Sequence, residues 1–409
     1  MEEAVQPAVY TQMELYRQMG LRARVLTLVV MVAFVLNLLW RQLGSVREGT
    51  RVLREEGMLW VTPLEGVSPQ AVLKRMGHLP ATLFYNILLE VIPQMQAQAV
   101  ARQRPLPPAT SWARQHFEHI WAADGSVLDN LLKKTGLLAE AEEAVLAGKI
   151  VTLVDVATQM PAAITYTEDS QSHDHSFWEW LMDQVKANVL LLLDKGWLDF
   201  DRFDQLTEQG VGLITPLKSN GAYQEVQVLS KTANVHDVII RLGSRQRQCR
   251  HPMRLVSVLF KGKWYRYVTN VLYPTILPPE VIVALYGQRW RIEDAFNVVK
   301  RLLGLAYFYT GSVNGVQLQV WATWLLYTML VDLTDSVAEG LQRPFRDISM
   351  EMVYRGLYHF AQARKQGQAD DVVAYFVRKA KDLSLIKQKR PLKHLSLVEQ
   401  MNLTIPKVT

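Results

Sequence analysis

The apolar residues of this chain recur with different periods in different regions, and each change of period marks an element. From Leu285 to Leu305, LYGQRWRIEDAFNVVKRLLGL, the residues Ile292, Phe296, Val299 and Leu303 recur at helical spacing and predict one amphipathic helix docked by that stripe. Two unbroken apolar runs stop at an aspartate, HIWAAD at Asp124 and VLLLLD at Asp194. Runs of this kind predict strands buried on both faces, as in a mixed or parallel sheet covered by helices. GKIVTLVDVATQ, extended again through Ile164 and Tyr166, predicts the second and third strands of a meander. Residues 218–280 alternate and are rich in strand formers, with Lys261-Gly262-Lys263 as a hairpin turn.

The ends of the chain have helical periods. Val25 to Trp40 is the most apolar stretch, but its 16 residues, broken by Thr27 and Asn37, fall short of the roughly 20 that span a bilayer. With a Met-Glu-Glu start and a mostly polar lead-in, it reads as a buried helix, neither a membrane span nor a signal peptide. VSPQAVLKRMGHLPATLFYNILLEVIP predicts a helix begun at Ser68-Pro69, a Gly-His-Leu-Pro break and a second helix. RPLPPATSW, from Arg104 to Trp112, is a Pro-rich joint, and VWATWLLYTMLVDL predicts a buried helix closing the sheet. The stretch Arg378 to Lys393, with seven Lys or Arg against Asp382 alone, is either a contact for DNA or a second subunit, or a solvated tail.

Charge sharpens this picture in two places. On the predicted helix Tyr286, Arg289, Glu293 and Lys300 stand at offsets of 0, 3, 7 and 14, which at about 100° per residue share one narrow stripe beside the apolar one. Between Asp237 and Glu280 there is no acidic residue, while Arg241, Arg245, Arg247, Arg250, Arg254, Lys261, Lys263 and Arg266 lie there. The whole chain carries only +6 in 409 residues, so this concentration points to a polyanion partner. Trp264, Tyr265 and Tyr267 interleave with the bases, either as faces for stacking a DNA base or as strand packing. A single cysteine, Cys249, excludes internal disulfides and a cysteine-built zinc site.

The Tyr286, Arg289, Glu293 and Lys300 spacing resembles the Y-x2-R-x3-E-x6-K signature of the fourth-numbered family of bacterial insertion-sequence transposases, a branch of the DDE superfamily. Such a match arises by chance about once in several hundred sequences of this length. The Asp124-Gly-Ser and Asp194-Lys-Gly-Trp blocks resemble the first and second acidic blocks of the same family. The resemblance implies an α/β, ribonuclease-H-like mixed sheet with flanking helices, a catalytic triad of Asp124, Asp194 and Glu293, and a β-strand insertion. It covers roughly residues 110 to 330. Pro216 departs from it, standing where relatives usually carry an Arg.

Asp155 competes with Asp124 as a strand-end carboxylate, and Asp124 is preferred because Asp155 sits inside the meander. Asp199, Asp201 and Asp204 read as carboxylates of a helix start. His173-Asp174-His175 reads as a loop or helix start ahead of Trp178. Three converging carboxylates need a cation, and hard oxygen ligands select Mg²⁺ or Mn²⁺. Two ions roughly 3.5 to 4 Å apart would then serve an in-line phosphoryl displacement. Tyr286, Arg289 and Lys300 are expected to contact DNA phosphates, with Lys263 and Trp264 as further DNA contacts.

The expected organisation is a helical DNA-end-binding region at 1–108, a catalytic domain at 109–217 and 281–335, a β insertion at 218–280, and a basic helical region at 336–409. The expected activity is metal-dependent cleavage at transposon ends and strand transfer into target DNA. Its alternative is a derivative that binds DNA without catalysis. A homodimer on paired ends and a cytoplasmic, nucleoid-associated location follow from the resemblance.

Overall fold

The computed structural model describes residues 2–21, 24–128, 148–305, 308–388 and 405. Residues 389–393 of the basic tail lie outside them. Nine strands form one mixed sheet: β1 His119–Val127, β2 Lys149–Asp155, β3 Pro161–Thr167, β4 Val189–Leu193, β5 Gly212–Pro216, β6 Tyr223–Lys231, β7 Val235–Leu242, β8 Met253–Phe260 and β9 Lys263–Thr269, in the order β3-β2-β1-β4-β5-β9-β8-β7-β6. β1, β4 and β5 run parallel, and β2 is antiparallel to both of its neighbours, the ribonuclease-H-like arrangement. Every residue of β2, β4 and β5 is buried, as continuous apolar runs require.

The strands of the insertion lengthen this sheet. β9 pairs antiparallel with β5, Ile214 opposite Thr269 and Pro216 opposite Tyr267. β8 and β9 join through Lys261 and Gly262, both at positive φ, with Phe260 opposite Lys263. Two successive left-handed residues make a turn whose twist suits a hairpin.

The described α-helices are α1 Glu2–Thr11, α2 Met13–Gln18, α3 Leu28–Trp40, α4 Val46–Glu55, α5 Pro69–His78, α6 Ala81–Ala101, α7 Pro108–Ala113, α8 Trp178–Gln184, α9 Phe200–Glu208, α10 Pro279–Gln288, α11 Arg291–Asn297, α12 Val313–Gly340, α13 Met350–Lys365 and α14 Val372–Lys379. α3 starts at Thr27, whose side chain accepts from Val30 N, and it is buried almost throughout. Ser68 caps α5 in the same way. Among the described residues no helix is long and apolar enough to cross a membrane.

Hydrophobic residues from Val5 to Leu385 belong to one core, in which α12 packs on α6 and α3. The helical N-terminal region therefore shares its interior with the sheet's outer layer. The Pro-rich joint is pinned rather than loose: Arg104, nearly buried, pairs with Asp335 and donates to Ala157 O at 2.7 Å, while Arg102 reaches Asp332 and Asp335. On the other face of the sheet, Trp178, Trp197 and Phe203 fill a smaller core under α8 and α9.

Candidate active site

The ladder between β1 and β4 ends at the pair Ala123 and Leu193, so Asp124 and Asp194 are the next residues on two adjacent parallel strands. Ala122 and Leu192 point into the large core and Ala123 and Leu193 into the small one; alternation returns Asp124 and Asp194 to the large-core face. That is the face on which α10 and α11 dock, through Val281, Leu285, Ile292 and Phe296. Strand register thus delivers two carboxylates to the helices that carry the third.

One expectation is corrected here. Asp124 does not end its strand at a Gly-Ser turn; β1 runs on to Val127, paired with β2 alone, Asp124 opposite Thr152 and Gly125 opposite Val151. The strand signal was right, but the dipeptide continues the ladder on one edge after β4 has stopped. Asp155 lies at the far end of β2, buried, with its Oδ1 accepting Ala157 N at 2.8 Å and Thr158 N at 3.0 Å. It closes a turn and is not part of this cluster. Asp199 caps α9 by accepting from Arg202 N at 3.1 Å, whereas Asp204 is buried and accepts the backbone of Arg250 and His251.

The helix from Leu285 to Leu305 is likewise corrected: it is three pieces. α10 ends at Gln288, tight bonds from Ile292 N to Arg289 O and Glu293 N to Trp290 O make a corner, and α11 passes into a π turn over Val298–Leu302. The corner brings Arg289 between the carboxylates. Its Nη1 donates to Asp124 Oδ2 at 2.9 Å and its Nη2 to Glu293 Oε1 at 3.3 Å, while Nε, buried, has no partner. Tyr286 donates to Asp194 Oδ1 at 3.4 Å, and its ring packs on Tyr267 at 5.1 Å. Lys300, carried by the π turn, donates to Val127 O at 2.7 Å and to Ser126 Oγ. Tyr286, Arg289 and Lys300 thus reach Asp194, Asp124 and Val127, and Glu293 joins the cluster through Arg289.

The electrostatics follow from this packing. Burial raises the Asp124 carboxyl above the ordinary range, Asp174 adds to the rise, and Arg289 opposes it. Burial raises Glu293 too, again against Arg289. Burial alone would lower Arg289, but Tyr286 and the surrounding carboxylates leave it raised and firmly charged. Burial lifts the Tyr286 hydroxyl well above its ordinary range, so it stays protonated as a donor to Asp194. Burial lowers Lys300 to about 8.

The expected repulsion among the carboxylates is thus partly met by the chain itself. Three carboxylates face one guanidinium, and Asp194 has only a long phenol bond. By donor chemistry and residual charge the set suits a hard divalent cation. As placed, with Arg289 between Asp124 and Glu293, no three His, Cys, Asp or Glu side chains among the described residues are close enough to chelate one.

The insertion is less open to a polyanion than its composition suggests. Arg254 is fully buried and paired with Asp237; Arg250 pairs with Asp204 and Glu208, and Arg247 with Asp199 and Asp201. Trp264 is half-buried with its ring tilted against that of His236, centroids 4.4 Å apart, and Tyr267 is buried against Tyr286. Lys263 is exposed at the β8–β9 hairpin. The structure adds a residue that the sequence reading placed only in a loop: Asp174, in a 3₁₀ turn, lies against the backbone that follows both aspartates.

Residues 140–329 match the family described as the transposase DDE domain. Asp194 and Glu293 fall within that match and Asp124 upstream of it. The chain is 27% identical over 184 residues to a probable transposase for insertion sequence element IS5377 of Geobacillus stearothermophilus, covering 43% of this chain and 46% of that protein. It is 23% identical over 206 residues to the transposase InsG for insertion sequence element IS4 of Escherichia coli, covering 47% and 46%. A putative transposase for element IS4SA of Synechocystis is 22% identical over 191 residues, covering 44% and 52%. The chain spans about half the length of these curated relatives. The DDE-domain match and the mixed sheet agree with each other, since that sheet carries the acidic cluster.

Proposed function

We propose that the protein is a transposase that cleaves DNA at the ends of a mobile element and transfers the 3′ ends into target DNA, with Asp124, Asp194 and Glu293 as its catalytic carboxylates. The observation that carries this reading is the convergence of three distant acids, Asp124 and Asp194 each one residue beyond the last β1–β4 pair and the third linked to Asp124 through Arg289. Mg²⁺ or Mn²⁺ would be held by these three once Arg289 gives way between Asp124 and Glu293, and when bound would supply Lewis-acid stabilisation of charge at the phosphorus. Two ions per site are proposed on the same grounds.

The chain's own residues orient and balance the site. Tyr286 holds Asp194 as a protonated donor, and Arg289 fixes Asp124 relative to Glu293. Arg289, with one unspent buried N–H, is also the group best placed to take a phosphate oxygen. Lys300 secures the end of β1, and its charge adds to the field drawing in DNA. Exposed Lys263, and Trp264 beside it, extend that path along the insertion. A homodimer acting on paired double-stranded ends in the cytoplasm, engaged partly through the N-terminal helices, completes the proposal.

The test is Mg²⁺-dependent cleavage of DNA carrying the ends of the flanking element, beside an Asp124→Asn control. Cleavage in the parent and none in the control supports the reading. Specific binding without cleavage in both assigns the protein to the non-catalytic DNA-binding alternative.

A further inference from the structure

We propose that Asp174, held by Lys149, is a positioning residue: a strut between the ends of β1 and β4 that fixes the separation of Asp124 and Asp194. It rests on the reading of those two residues as catalytic. The need for a strut follows from the ladder. Hydrogen-bonded pairing of β1 with β4 stops at Ala123 and Leu193, one residue before each carboxylate, and β1 then continues with β2 on its other side only. Among the described residues no β1–β4 rung of the ladder lies beyond that pair, so Asp124 is supported by β2 and Asp194 by Thr215 of β5, not by each other's strand.

Asp174 occupies that gap. Its Oδ1 lies 2.7 Å from Lys149 Nζ, an ion pair without hydrogen-bond geometry at that buried oxygen, and the same ammonium donates to Ser172 O at 2.7 Å, so charge attraction and the loop bond together keep the carboxylate beside Lys149. Lys149 belongs to β2, opposite Val127 of β1, and its side chain is nearly buried. The two oxygens of Asp174 face different strands. A Cβ on Gly125, the residue after Asp124, would lie 2.5 Å from Oδ1, and a Cβ on Gly196, two residues after Asp194, would lie 3.2 Å from Oδ2. The carboxylate is therefore seated beside the backbone beyond both aspartates: a methyl on Gly125 would force it to move, and one on Gly196 would press it by a few tenths of an ångström.

The geometry also explains why one acidic side chain suffices. Lys149 anchors the strut to β2, the strand that still supports β1, while Oδ2 abuts the short turn Lys195–Trp197 that carries the chain away from Asp194. Displacing Asp174 would release that turn without opening the apolar sheet beneath it. Misplacement of reacting groups by about 1 Å costs on the order of a hundredfold in rate, which is the size of effect expected here.

The experiment has a structural and a kinetic arm. Amide hydrogen exchange is measured on the full chain and on Asp174→Asn; peptides spanning 124–128 and 193–198 are expected to exchange about tenfold faster, with the rest of the sheet unchanged. Unchanged exchange in both peptides overturns the proposal whatever the cleavage result. If Asp174→Asn proves unstable because Lys149 is left unpaired, the paired change Lys149→Met with Asp174→Asn is measured instead.

In the kinetic arm, Asp174→Asn is expected to cut about a hundredfold more slowly at saturating DNA while binding ends within about twofold of the parent. Parent-like cutting by Asp174→Asn overturns the positioning role. Gly196→Ala supplies the sharper test, since the atoms its new methyl meets all belong to Asp174. It is expected to slow cleavage in the parent and to have no effect in an Asp174→Ala background; equal effects in both backgrounds overturn the strut. If the parent itself does not cleave, the functional reading fails, and exchange alone still decides whether Asp174 holds the two strand ends.

Discussion

Two buried arginines in this molecule show how differently the same side chain is used. Arg254, in the insertion, is fully buried with every guanidinium nitrogen bonded: Nε and Nη2 grip the two oxygens of Asp237 at 2.7 and 2.6 Å, and Nη1 donates to Leu277 O at 2.7 Å. Arg289, at the strand ends, is nearly as buried, yet it divides itself between Asp124 and Glu293 and leaves Nε without a partner. A bidentate pair with every nitrogen bonded is a structural joint. A split guanidinium among carboxylates whose protonated forms are favoured by burial is a site held short of its best arrangement, as functional sites commonly are.

The widest separation of the two regions comes from removing carboxylates at the strand ends. Asp194→Ala is expected to lower cleavage on the order of 10⁴-fold, the scale on which single catalytic groups act. Thermal stability and end binding should stay near the parent's, because among the described residues the Asp194 carboxylate is bonded only by Tyr286 at 3.4 Å. A loss of binding with intact cleavage would end its assignment as catalytic.

Asp237→Ala should behave in the opposite way. It strands the Arg254 charge in the interior, and breaking such a pair from one side costs about 3–5 kcal/mol of stability. A chemical denaturation midpoint checks this, and cleavage by the fraction that remains folded should be parent-like. A midpoint that does not move would mean that Arg254 finds another partner, and the contrast with Arg289 would collapse.

Between these extremes stands Arg289→Lys. The change keeps a charge but loses the fork that reaches two carboxylates at once. Cleavage is expected to drop about 10²–10³-fold, the range seen when one preorganised donor is removed. Binding measured against salt should keep its slope, since the charge is retained, whereas Arg289→Gln should make it shallower by about one contact. An unchanged slope for the glutamine variant would exclude a phosphate contact by Arg289.

The same contrast marks how far the sequence could be read. The strands leading into Asp124 and Asp194 were legible because a doubly buried strand must be apolar at every position, and the first polar residue then shows; that β1 continues past Asp124 along β2 was not. The spacing of Tyr286, Arg289, Glu293 and Lys300 was legible as a stripe, but not the corner at Arg289 or the π turn, since those come from docking on the sheet and leave no mark in local periodicity. The pairing inside the insertion's basic run was not legible for a related reason. The partners of Arg250 lie more than 40 residues upstream at Asp204 and Glu208, and Arg254 folds onto Asp237 across a strand pair, so composition could not show which of these bases the fold pairs. Asp174 escaped because its role is defined only by two glycines distant from it in sequence.

The smallest effect concerns Lys300, the member of the stripe that faces β1 rather than a carboxylate. Burial lowers it to about 8 from an ordinary 10.5, so the folded protein releases this proton at a pH where the unfolded chain keeps it. Between those values the unfolded state binds more protons, and stability must rise with pH on account of this residue; below about pH 8 both states are charged and the burial cost is present in full. Lys300→Met should therefore remove an upward slope of stability between about pH 8 and 10.5, seen as a difference between its denaturation profile and the parent's. The same titration reads out in DNA binding with the opposite sign. The positive charge is present below about pH 8 and lost above it, so the parent's affinity for ends should fall relative to Lys300→Arg as the pH passes 8. Parallel pH profiles for parent and arginine variant would show that the charge of Lys300 serves only the end of β1, through Val127 O and Ser126 Oγ, and not the DNA.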